Sequence, residues 1–282
     1  MLAGACRHKS EIVAEQFTVR YCATSVRVRD VERCVTEIPL EQQRRRDATI
    51  RLTYRDGRLQ RSELVSGSGE PHQVDVEDYA YANNQLSRLS YTSFLGQSVG
   101  YQSYSPDRQV SHNFDERGRP KRYPNWATSN FRRRFDAAGF VESTALLDVA
   151  GNPVASEGVH EWRQKRNAQG VQVESAYFGL KGEAVNSSDG FHRQVRKVDA
   201  LGLMHSERYF DRENRPALNQ GAHEVRVRYD DAGNYTQTDY FAADGSAVRD
   251  EQWGAASVRI GRDARGNATE VRLFDERGQP TI

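Results

Sequence analysis

The sequence predicts an all-β chain of tandem antiparallel β-hairpins, repeated about every 32 residues and forming an elongated or curled sheet behind a small N-terminal β region. Three observations carry this expectation. Glycines recur at Gly139, Gly170, Gly202, Gly233 and Gly266, spaced 31, 32, 31 and 33 residues apart. Eight residues after each stands Leu147, Phe178, Phe210, Phe241 or Phe274. A fixed interval inside the unit, with variation confined to the linkers, marks a stacked repeat. Composition agrees: 37% of the 282 residues are hydrophobic and 28% are charged, which suits a thin sheet with neighbour-to-neighbour contacts.

The unit is plainest in His223 to Val248. Val225, Val227 and Tyr229 alternate with Arg226 and Arg228, a period of two that gives a strand one apolar and one charged face. Asp230-x-x-Gly233 then supplies a type I turn closed by a left-handed residue. A second turn follows the central strand at Asp148-x-x-Gly151, Gly179-x-x-Gly182, Asp211-x-x-Asn214, Ala242-x-x-Gly245 and Asp275-x-x-Gly278. Phe114 to Pro120 is a sixth copy of this second half.

Taken from the start, residues 1–6 form a segment of their own, 7–95 an N-terminal β region and 96–282 the repeats. Glu15 to Tyr21 alternates as a strand does. Val31 to Arg46 is interrupted by Pro39 and closed by Arg44-Arg45-Arg46, a run expected on a solvated loop. Ala48–Tyr54, the turn Arg55-Asp56-Gly57 and Arg58–Val65 make a hairpin, and Ser66 to Pro71 a loop. Tyr79 to Leu95, turning at Asn83-Asn84, makes another.

Leu2-Ala3-Gly4-Ala5-Cys6 resembles the end of a bacterial lipoprotein signal, which implies lipidation at Cys6. Ala3 stands where leucine is usual, and five residues also match by chance. Cys22 and Cys34 are expected to form a disulfide, which needs an oxidising compartment; two buried thiols are the alternative.

Tyr229-Asp230-x-x-Gly233-Asn234, Phe135-Asp136-x-x-Gly139 and Tyr54-Arg55-Asp56-Gly57-Arg58-Leu59 resemble the YD repeats of Rhs-type bacterial proteins. The resemblance covers most of residues 48–282 and implies curled β-sheet and a bacterial envelope setting. The second half-motif and the period near 32 depart from that family.

Stacked in register, the first strands place Arg132, Arg163, Arg226 and Arg259 in one basic column, faced by Glu142, Glu174, Glu207, Asp239 and Glu270 on the following strands. The column is a candidate surface for an acidic partner; cross-strand neutralisation, worth about 0.2–1 kcal/mol per pair, is the competing reading. Trp126, Tyr235 and Trp253 are candidate contact residues because they lie where the copies differ. His160, His192 and His223 form a column too, but copies two strands apart are roughly 10 Å from one another, too far to share a zinc ion.

The net charge of +1 gives no global pull toward nucleic acid or membrane. No catalytic triad order, phosphate loop or metal spacing stands out, so the chain is expected to be no enzyme and to need no cofactor or metal. The leading expectation is a periplasmic protein, lipid-anchored to the outer membrane, that binds another protein as an inhibitor or immunity protein against a secreted toxin or effector. The alternative is a glycan-binding or cell-wall structural module.

Overall fold

A computed structural model describes residues 16–70, 76–93, 95–121 and 128–281. Cys6 and Trp126 lie outside these residues. The described chain forms one 19-stranded antiparallel sheet. Its N-terminal strands are β1 (Phe17–Val28), β2 (Val31–Glu37), β3 (Thr49–Arg55), β4 (Arg58–Val65), β5 (Val76–Ala82), β6 (Gln85–Thr92), β7 (Ser98–Tyr104) and β8 (Val110–Phe114), with one helical turn, α1 (Leu40–Gln43), between β2 and β3. The five repeat hairpins are β9 (Asn130–Phe135) with β10 (Val141–Leu147), β11 (Glu161–Arg166) with β12 (Gln172–Phe178), β13 (Arg193–Val198) with β14 (Met204–Phe210), β15 (Glu224–Tyr229) with β16 (Tyr235–Phe241), and β17 (Ser257–Arg262) with β18 (Ala268–Phe274). A short β19 (Pro280–Thr281) closes the edge. β1 pairs with both β2 and β3, and from β3 onward each strand pairs with the next. The sheet runs unbroken through residue 96, since β6 pairs with β7 from Arg88↔Ser103 to Thr92↔Ser98.

Each first turn is the bulged type I hairpin read from the motif. Gly170, Gly202, Gly233 and Gly266 have φ between 81° and 85°, and the register slips at Arg166, Val198, Tyr229 and Arg262 just before the turn. The turn aspartate satisfies the loop's backbone donors. Asp263 Oδ1 accepts from the amides of Arg265 at 2.8 Å and Asn267 at 2.9 Å. Asn167 does the same work in the second repeat.

Pairing within a hairpin runs the length of its strands, as from Glu161↔Phe178 to Arg166↔Gln172. Between hairpins it covers only a stretch such as Glu174↔Val195 to Ala176↔Arg193. The hairpins therefore splay at their first-turn tips, and the N-terminal segment fills that side. The Arg29 amide donates to the Gly139 carbonyl at 2.8 Å. Thr24 and Thr36 hydroxyls both donate to the Leu201 carbonyl, at 2.6 and 2.9 Å. The Arg46 guanidinium donates to the Ala232 carbonyl, and the Asp47 amide to Asn234 Oδ1 at 2.8 Å. Arg262 pairs with Asp47 at 3.2 Å. One continuous segment thus laces the tips of four of the five repeats, converting neighbour-only contacts into long-range ones.

This corrects the reading of Arg44-Arg45-Arg46 as a solvated run. Arg44 and Arg45 are exposed, but Arg46 is buried. Burial lowers its pKa, and nearby Asp230 acts against that shift. The main apolar core lies where β1 packs on β3–β6, around Cys22, Leu52, Leu59, Tyr79, Leu86 and Leu89. Burying each leucine there contributes about 1.5–3 kcal/mol. Cys22 and Cys34 are disulfide-bonded in this core. The repeats have thinner cores, around Phe191 and Tyr209 and around Ala222, Tyr240 and Val258.

Candidate functional site

Strand alternation places the basic column on one face. Arg163 lies 3.8 Å from the centroid of the Phe178 ring, Arg226 4.1 Å from Phe241 and Arg259 4.0 Å from Phe274. The phenylalanine that ends each central strand is therefore a platform for the arginine on the strand before it, a cation–π contact worth roughly 0.5–1 kcal/mol at an exposed site. The third repeat has Val195 in the column position, and Arg193, two residues earlier, reaches the Phe210 ring at 4.5 Å instead. Sequence reading missed Arg193 because it was sought at a fixed position. Arg132 is exposed in the first repeat, whose central strand ends in Leu147 and offers no ring.

Acids surround the ladder. Arg163 pairs with Glu161 at 2.9 Å, Arg226 with Glu224 at 3.0 Å and Arg193 with Glu174 at 3.3 Å. Nearer the tips, Lys165 meets Glu174 at 2.8 Å, Arg134 meets Glu142 at 3.3 Å and Arg228 meets Asp239 at 3.5 Å. The face is a patterned array of both signs, with guanidinium groups held over rings.

Tyr235 and Trp253 do not join this array. Tyr235 starts β16 at the first-turn edge, where Arg262 lies 5.2 Å from its ring. Trp253 sits in the linker turn at the other edge, its amide bonded to Asp250 Oδ1 at 2.9 Å. The seven residues of β16 separate the two edges by about 24 Å at ~3.4 Å per residue. Each is 46% exposed, so both are surface side chains, but they cannot form one aromatic platform.

The linkers are less irregular than their sequences suggest. Gly158, Gly190, Gly221 and Gly254 all have positive φ and form a third glycine column. Val159, Phe191, Ala222 and Ala255, which follow them, are all buried. The period of about 32 was legible there as well, but the flanking residues vary enough to mask it.

The histidine column is part of the scaffold. His160, His192 and His223 bond through Nδ1 to the carbonyls of Val154, Val185 and Ala217 at 2.7, 3.1 and 3.2 Å. A carbonyl only accepts, so Nδ1 carries the proton in each. Phe178 and Phe210 meet the rings of His192 and His223 edge-on, at 5.3 and 5.4 Å. On the opposite face, burial raises the Tyr209 hydroxyl pKa and pushes that of Tyr240 up to about 12. Among the described residues no cluster of three His, Cys, Asp or Glu side chains could hold a metal ion, and no helix is long and apolar enough to cross a membrane.

No family model matches the chain, and no curated protein matches it. Among solved structures, it is similar to TcdB2-TccC3-TEV, with 13% identity and a TM-score of 0.30, over 80% of this chain and 13% of that one. It is similar to TcdB2-TccC3 without its hypervariable C-terminal region, with 11% identity and a TM-score of 0.31, over 83% of this chain and 13% of that one. A third is the Photorhabdus luminescens Tc holotoxin pore, at 10% identity and a TM-score of 0.28, over 81% and 13%. The chain thus spans about an eighth of the length of these proteins, and at such scores the likeness carries no argument about its role. What stands is a loose Rhs-like β-repeat resemblance.

Proposed function

We propose that this chain is a non-enzymatic scaffold that binds another protein through its arginine-bearing face. More finely, we propose a lipid-anchored periplasmic inhibitor, an immunity protein against a secreted toxin. The observation that supports binding is the stacking of Arg163, Arg193, Arg226 and Arg259 on rings at 3.8 to 4.5 Å. A long flexible cation costs about 0.5–1.5 kcal/mol to immobilise in an interface; one already held on a ring loses less. Successive copies recur every two strands, about 10 Å apart, which matches an extended partner surface of mixed charge better than a single small ligand. The Cys22–Cys34 disulfide supports an oxidising compartment. Tyr235 and Trp253 lie at opposite edges of the repeat, so a glycan-binding module would have to stack sugars on other rings.

The test has two arms. Wild-type protein immobilised at physiological salt should retain one stoichiometric envelope protein, and the combined Arg163→Ala, Arg226→Ala and Arg259→Ala variant should release it. The native gene product should fractionate with the outer membrane, and Cys6→Ser should free it. Retention of peptidoglycan in place of a protein, or a cytosolic product indifferent to Cys6→Ser, would overturn the reading.

A further inference from the structure

Within the row of repeats, each central strand takes a three-residue ladder from the first strand of the next repeat. The ladder falls on Ser143 to Ala145 of β10, Glu174 to Ala176 of β12, Ser206 to Arg208 of β14 and Gln237 to Asp239 of β16. The same positions of β18 are Glu270, Val271 and Arg272. β18 pairs with β17 along its length but with β19 only at Leu273 and Phe274, so among the described residues Glu270 to Arg272 have no strand on their outer side. The Ala256 amide donates to the Phe274 carbonyl at 2.8 Å, so Phe274 presents its backbone groups to the β17 side. Those groups alternate sides along a strand, which turns the N–H and C=O of Val271 outward.

The side chains match this open ladder. Its middle position is buried in β10, β12 and β14, as Thr144, Ser175 and Glu207, with the next repeat beside it. On β18 that position is Val271, which is 53% exposed. Terminal repeats ordinarily carry a polar outer face, and free edges are ordinarily blunted by charge. Here an apolar residue stands at the uncovered position, and the charges flanking it are of opposite sign. Glu270-Val271-Arg272 also repeats Glu224-Val225-Arg226, the part of β15 that pairs with β14. The edge therefore offers a place for a strand and itself has the sequence of a strand that fills one.

We propose that the β18 edge is a self-association surface, at which a second copy of this chain pairs β18 with β18 in antiparallel register centred on Val271. In that register Val271 faces its own counterpart and exchanges both backbone hydrogen bonds with it. Each Glu270 faces the Arg272 of the other copy, an opposite-charge pair that stabilises a sheet. Centring the register on Glu270 or on Arg272 would instead set like charges against each other. The contact is isologous and closes at two copies. A three-residue ladder falls well short of the ~1,200 Å² of a stable interface, so association is reversible and concentration-dependent. The pairing needs no other protein, so it stands or fails apart from the proposed inhibitor role.

The test is sedimentation equilibrium of the full chain from about 10 μM to about 1 mM. Wild type should move from monomer toward dimer mass across this range. Arg272→Glu, or separately Glu270→Arg, sets like charges across the seam and should weaken association by on the order of tenfold or more. An equimolar mixture of these two variants restores opposite charges and should associate as wild type does, a rescue that misfolded variants would not give. Val271→Pro removes an outward N–H without touching the β17 ladder and should also leave monomer. Wild type that stays monomeric throughout or grows beyond a dimer would overturn the proposal. So would charge variants that dimerise as wild type does, or a mixture that stays monomeric.

Discussion

The Arg46 guanidinium donates to the carbonyl of Ala232, joining the segment after α1 to the tip of the fourth repeat across 186 positions of sequence. A charged donor to a buried carbonyl contributes about 1.5–3 kcal/mol. Arg46→Ala should therefore lower the unfolding free energy by about 2 kcal/mol, while Arg44→Ala, two residues away and exposed, should change it by less than ~0.5 kcal/mol. Urea titrations of the two variants measure the difference.

The first-turn glycines are not equivalent to those of the second turn. A Cβ on Gly266 would lie 2.8 Å from the Asp47 amide nitrogen and still closer to the Arg45 carbonyl oxygen, whereas one on Gly245 would meet nothing within 4 Å. Both have positive φ. Gly245→Ala should cost about 1–2 kcal/mol, the left-handed penalty alone. Gly266→Ala should cost distinctly more, because backbone must also move. Equal losses of stability would count against the docking of the N-terminal segment on this tip.

The turn aspartates make the fold sensitive to acid. Asp115 is held below its ordinary value chiefly by the Arg119 amide, and Asp148 and Asp263 chiefly by the side chains of Asn152 and Asn267. A carboxylate with a depressed folded pKa stabilises above its unfolded value and loses that contribution as pH falls through the folded one. Stability should accordingly drop below the ordinary aspartate value of 3.8. Replacing these three with Asn, the residue already used at Asn167, should keep the neutral-pH fold and flatten the acid limb of a Tm-against-pH curve. An unchanged acid limb would assign the sensitivity elsewhere.

The disulfide closes a short loop between β1 and β2 in the main core. Replacing Cys22 and Cys34 together with Ser should cost roughly 3 kcal/mol in the loop-entropy estimate and lower the melting temperature. Reducing agent should lower the wild-type melting temperature but not that of the double variant.

Residue by residue, the sequence revealed what recurs and hid what does not. The glycine–phenylalanine interval placed the repeat hairpins because turn geometry and strand alternation are local. The β3–β4 turn at Asp56-Gly57 and the β5–β6 turn at Asn83-Asn84 were legible for the same reason. The course of Arg29 to Asp47 across the tips was not, since nothing local tells a buried arginine in Arg44-Arg45-Arg46 from its exposed neighbours. Stacking of Arg163, Arg226 and Arg259 on the strand-end rings was implicit in two columns read separately as charge and as punctuation.

The N-terminal segment should make the row of hairpins into one cooperative body. Two variants test it most directly, one retaining only Trp162 in β11 and one only Trp253 near the C-terminal repeat, each unfolded in urea and followed by fluorescence. Coincident midpoints and slopes are expected. An earlier, shallower transition at Trp253 would show that the last repeats unfold on their own and would contradict the claim.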